Sequence, residues 1–131
     1  MKLIIIDRSS LGRKSKTDVP LLSLNRTGQV VFNERAVEVL SLYDGCSVDF
    51  FQDTEDLKQW YVGLSPKQTG FTCKKYANYR GVSFSNKPLC GLILESLLSL
   101  DKSKSHRFSI SKEAVQYGDR LIHAVITSKS V

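Results

Sequence analysis

Residues 22–64 read LSLNRTGQVVFNERAVEVLSLYDGCSVDFFQDTEDLKQWYVGL, and the punctuation of this stretch decides the fold. Asn25-Arg26-Thr27-Gly28 has the chemistry of a tight turn between two apolar runs, residues 21–24 and 29–32, which predicts a hairpin. Asn33 offers a side-chain oxygen to cap a helix, and Glu34 suits the positive end of its dipole. Ala36, Val37, Val39 and Leu40 carry helical spacing up to Leu42, and Asp44-Gly45 stops it. Residues 46–52 alternate and read as a strand, Asp53-Thr54-Glu55-Asp56-Leu57-Lys58 is an acidic turn, and residues 59–64 are its hairpin partner.

Outward from this stretch, residues 2–7 form a β-branched run of strand length, followed by a Ser/Gly/Lys/Arg loop. Residues 65–70 (SPKQTG) are the best linker. Beyond them, residues 71–79 and 81–84 are strand-like, 89–100 is the strongest helix, and 107–111 and 120–127 are strands joined through KEAVQYG and a turn at Gly118-Asp119. The expected organisation is an N-terminal strand and basic arm over 1–20, a first unit over 21–65 and a second unit over 66–131, within the size of one compact domain. At an offset of 52, Val30 aligns with Val82, Phe32 with Phe84, Asn33 with Ser85, Arg35 with Lys87, Val37 with Leu89, Leu40 with Leu92 and Leu42 with Leu94. That register fits an internal repeat whose second copy has longer loops, and it equally fits two unrelated strand-helix units with amphipathic helices.

With 131 residues, 41% of them hydrophobic and 24% charged, the chain can bury a core without metal or disulfide. Its net charge of +6 favours acidic partners, and the charge is uneven: +3 over residues 1–20, −4 over 21–65 and +7 over 66–131. Cys46, Cys73 and Cys90 fit neither a disulfide framework nor a zinc pattern, which points to a reducing compartment. No apolar run reaches the length of a signal-peptide core or a membrane span, so a cytoplasmic protein is expected.

Residues 22–64 resemble the AbrB/MazE-like swapped-hairpin family through Gly28 in the first turn, Val30, Val31 and Phe32 in the second strand, Leu40 and Leu42 at the helix end, Asp44-Gly45, and Val48 and Phe50 in the third strand. A degenerate second copy runs from about 81 to 126. The family closes its barrel by pairing two units from two chains. The resemblance therefore implies an α+β, strand-rich fold in which two swapped-hairpin-like halves form an intramolecular pseudo-dimer barrel. It also implies DNA binding, as in transcriptional regulators and antitoxins of this fold, with basic residues of the first hairpin and helix against the duplex. The chain departs from that pattern at Gln29, Asn33, Val37 and Glu38, leaving Arg26 and Arg35 near that surface.

The candidate nucleic-acid contacts are the basic arm with Arg8, Arg13, Lys14 and Lys16, together with Arg26, Lys74, Lys75, Arg80 and Lys87. Residues 71–87 interleave the cations among them with Phe71, Tyr76, Tyr79 and Phe84. Aromatic faces and backbone-neutralising charge are the two ingredients of sequence-tolerant single-strand binders. The same aromatics also suit a strand packed into a core.

Catalysis, a metal and a cofactor are not expected. Neither GxxxxGK nor GxGxxG occurs, His106 and His123 lack partners at metal-ligand spacing, and no cysteine has a neighbouring histidine. Asp53, Glu55 and Asp56 read as a solvated turn, and Trp60-Tyr61 as one residue into the core and one out. The leading expectation is nucleic-acid binding, DNA before RNA, with a regulatory role. The alternative is a protein-interaction or assembly module, including self-assembly, that keeps the fold without DNA binding. No membrane partner is expected.

Overall fold

The computed structural model describes residues 19–25, 27–66, 69–75, 80–97 and 104–128. Among them the chain runs through strands β1 (Leu21–Leu24) and β2 (Gln29–Phe32), helix α1 (Glu34–Leu40), strands β3 (Ser47–Gln52), β4 (Trp60–Leu64), β5 (Phe71–Thr72) and β6 (Val82–Ser85), helix α2 (Lys87–Ser96), and strands β7 (His106–Tyr117) and β8 (Arg120–Ile126). The eight strands form one antiparallel sheet in the order β5-β3-β4-β8-β7-β1-β2-β6. Its two ends meet just past β5: Lys74 N donates to Ser83 O at 2.8 Å and Ser83 N to Lys74 O at 2.9 Å. The result is a nearly closed eight-strand barrel-like sheet, in which few backbone groups are left at an open edge.

Local chemistry explains the first hairpin. The Asn25 side-chain oxygen accepts from the amides of Thr27 and Gln29 at 3.1 and 2.9 Å, an Asx-type turn. Gly28 then takes φ +92°, where a side chain is strained, and a Cβ there would come within 2.8 Å of the Lys87 Cα. Asn33 caps α1 as expected, accepting from Ala36 N at 2.9 Å, and its oxygen also accepts from Leu21 N at 2.9 Å, which ties the helix to β1. Asn86 plays the same part for α2, accepting from Leu89 N at 2.9 Å, with Pro88 in the first turn.

Several boundaries differ from the sequence reading. Helix α1 ends at Leu40, because Ser41 turns left-handed with φ 59°. Two residues apart on a helix point to nearly opposite sides, so reversing the chain at Ser41 lets Leu40 and Leu42 both reach the core. Helix α2 starts at Lys87, two residues before the expected position, because Asn86 rather than a later residue caps it. Residues 112–117 belong to β7 rather than to a connection; the exposed Lys112-Glu113 interrupts the alternation where a bulge sits between Ile110 and Ala114. Strand β5 covers only Phe71–Thr72 plus the paired Lys74. The expected strand over 2–7 and the basic loop after it lie outside the described residues.

The interior is apolar and aromatic. Phe32 and Phe108 are fully buried beside Leu22, Leu24, Val30, Val48, Val62 and Val125. Trp60 is buried and donates its indole N–H to Ser96 Oγ at 2.8 Å, which anchors α2 over the sheet, while Tyr61 faces out. On the outer face of β3, β4 and β8, Arg120 binds Asp49 at 3.0 Å, donates to Leu64 O at 2.9 Å and lies 4.9 Å above the Phe51 ring. Gly63 leaves room beneath it: a Cβ there would meet Ile122 Cγ2 and Leu121 O at 3.0 Å. Among the described residues no helix is long and apolar enough to cross a membrane.

Candidate nucleic-acid interface

Strand β6 is the centre of the basic surface, because four of the candidate cations are placed around it. Val82 and Phe84 point inward, so Ser83 and its partner Lys74 lie on the opposite face, where Ser83 is itself covered at 2% exposure and Lys74 is exposed. The pairing continues across the sheet: Ser83 opposite Val31, Val31 opposite Ser23, and Ser23 opposite Arg107. One row on that face therefore runs from Lys74 to Arg107 over five strands, about 19 Å at the usual inter-strand spacing, with Ser83 buried and Val31 and Ser23 half-buried between its ends. Both end residues are exposed. Arg107 was not singled out from the sequence, although its place directly before the inward Phe108 carried the signal.

Arg80 and Lys87 bracket the same strand. Arg80 precedes β6, is highly exposed, and sits with its guanidinium 3.4 Å from Glu34 at the start of α1. Lys87 follows β6 as the first residue of α2, packed on the Gly28 turn, with Asn86 N donating to Gly28 O at 2.8 Å. Arg80 thus lies beside the start of α1, and Lys87 beside the β1–β2 turn. Lys75 is exposed, and its amide donates to Asp44 Oδ1 at 2.9 Å, which places it at the turn after α1. Arg35 pairs with Glu38 on its own helix at 2.7 Å. Such exposed pairs are worth well under about 1 kcal/mol, so the cations they involve remain available to a phosphate. Arg8, Arg13, Lys14, Lys16 and Arg26 lie outside the described residues.

The aromatics of this segment divide. Phe71 stacks on Phe84 at 5.1 Å with an 11° interplanar angle, and both pack against Phe50, with Phe32 against Phe84. They are core residues and offer no platform to a base. Tyr76 and Tyr79 lie outside the described residues.

The other polar candidates have structural partners. His123 is buried on β8, with Nδ1 2.9 Å from Ser111 O at the bulge. Asp53 and Asp56 accept from the amides of Glu55 and Lys58 and so build the exposed turn. Among the described residues no three metal-ligating side chains gather. Comparison with known proteins finds no matching family model, no matching curated protein and no matching solved structure.

All three cysteines are buried as free thiols. Burial, reinforced by the neighbouring Cys46, pushes the Cys73 thiol up to about 12 from 9.0. A group whose acidity is weakened by folding loses stability as pH rises above its unfolded value. Unfolding free energy is therefore expected to fall above pH 9, by up to roughly 1.4 kcal/mol per pH unit until the native thiol itself titrates. Chemical denaturation between pH 8 and pH 11 checks this, with Cys73→Ser expected to flatten the slope.

Proposed function

We propose that the chain is a non-enzymatic nucleic-acid-binding protein, built as two swapped-hairpin-like units that form within one polypeptide the barrel that the AbrB/MazE-like family makes from two. The pairing supports the two-unit reading. Each half runs β-β-α-β-β, and exchanging β1–β4 with β5–β8 leaves every neighbour relation of the sheet unchanged. Val31 and Ser83, equated by the offset of 52, are paired with each other, as an approximate two-fold axis between β2 and β6 requires. Strands β4 and β8 also pair antiparallel, with Val62 opposite His123. The helices align one residue later than the strands. Asn33 then matches Asn86 rather than Ser85, and Leu40 matches the buried Ile93 rather than Leu92, which is 51% exposed.

The observation that carries the function is the set of cations around β6: Lys74 on the strand pair, Arg80 beside the start of α1 and Lys87 beside the β1–β2 turn. In the family that the chain resembles, hairpin and helix residues at such places lie against duplex DNA. The specificity, DNA before RNA, and the regulatory role rest on that resemblance. Counter-charge at Glu34 and Asp44 favours the second reading, an assembly module that keeps the fold without DNA binding.

The Lys74→Glu/Lys87→Glu variant separates the two. Duplex affinity is expected to fall at least about tenfold and the salt slope by about two, one per lost phosphate contact, while Lys112→Glu on the far hairpin has little effect. Equal binding by the double variant and the native chain would overturn the reading.

A further inference from the structure

On the side of the barrel away from β6, the outer face of β3, β4, β8 and β7 carries a cluster of aromatic and aliphatic side chains beside the Arg120–Asp49 pair, where a solvated face would be polar throughout. Phe51, Tyr61, Val115, Tyr117 and Ile122 line an open groove of about 590 Å³ with Asp53 on its rim. Tyr117 is 62% exposed and Val115 46% exposed, and the Phe51 and Tyr117 rings lie 5.6 Å apart. We infer that this groove docks an extended, arginine- or lysine-bearing segment of a protein partner.

Three observations fix the chemistry of the occupant. Aromatic faces carry negative potential, and this cluster already holds one guanidinium, that of Arg120 over Phe51 at 4.9 Å. The rim is acidic, since Asp53 opens a turn that also holds the exposed Glu55 and Asp56. An anionic partner would meet those carboxylates, whereas a cationic side chain would lie between them and the tyrosine ring. Strand β7 also supplies a backbone template. Its pairing with β1 stops at Ser109, with Pro20 O accepting from Ile110 N at 2.9 Å, and among the described residues the segment from Ser111 to Tyr117 pairs with β8 alone. An extended peptide can add to that edge by main-chain hydrogen bonds, with alternate side chains directed into the groove.

The test uses a short fluorescent peptide alternating arginine and valine, its counterpart with glutamate in place of arginine, and the full chain. The arginine peptide is expected to bind, the glutamate peptide not. Tyr117→Ala, at an exposed position, and Asp53→Asn, which keeps the turn-building oxygen, are each expected to weaken binding roughly fivefold with the thermal midpoint unchanged. Lys74→Glu, on the other side of the barrel, should leave it intact and so keeps this outcome separate from nucleic-acid binding. No binding of the arginine peptide, equal binding of both peptides, or indifference to both groove variants would overturn the inference. So would a dimer in sedimentation that Tyr117→Ala dissociates, which would assign the face to a second copy of the chain.

Discussion

Replacing Phe84 by alanine is expected to cost roughly 3–5 kcal/mol of folding stability, the range for truncating a buried phenylalanine. The ring is 8% exposed and touches Phe32, Phe50 and Phe71, so its loss opens a cavity where β6, β2, β3 and β5 converge. Domains of this size are stable by only about 5–15 kcal/mol, so the midpoint of urea unfolding should move far. Leu92→Ala, on the exposed side of α2, is the control and should cost less than about 1 kcal/mol. A Phe84→Ala protein of native stability with impaired nucleic-acid binding would instead make this ring a stacking platform.

Arg120→Ala is the second large effect, expected at about 2–4 kcal/mol, because it strands a partly buried carboxylate and removes an aromatic contact. The Arg120 and Asp49 side chains are only 20% and 25% exposed, and the guanidinium also holds Leu64 O. These contacts fasten the β7–β8 hairpin to β3 and β4. Arg120→Met fills the same space without the charge and should cost less when combined with Asp49→Ala than either change alone suggests. A double-mutant cycle on Arg120 and Asp49 measured by denaturation checks this, and a coupling energy near zero would show that the pair contributes nothing.

Features built from neighbouring residues were legible in the sequence. The Asn25 turn, the Asn33 cap, the β3–β4 hairpin and the inward Trp60 beside the outward Tyr61 all follow from local chemistry. Barrel closure through Lys74 and Ser83 was not legible, because a single long-range strand pair leaves no local pattern. The length of β7 was hidden by Lys112 and Glu113, whose charges read as a loop although they sit on a strand exposed on both sides. The placement of Phe71 and Phe84 could not be settled either, since alternation shows that residues share a face without saying whether that face meets solvent. The outer groove did leave a trace: in Phe50-Phe51, as in Trp60-Tyr61, consecutive aromatics on a strand force one ring outward.

The claim that this barrel binds nucleic acid through the β6 surface is tested most directly by fluorescence anisotropy of labelled duplex and single-stranded oligonucleotides at two salt concentrations. Micromolar or tighter binding to duplex that weakens steeply with salt is expected. Failure to bind either oligonucleotide at low salt would contradict it and leave the fold as a scaffold for protein partners.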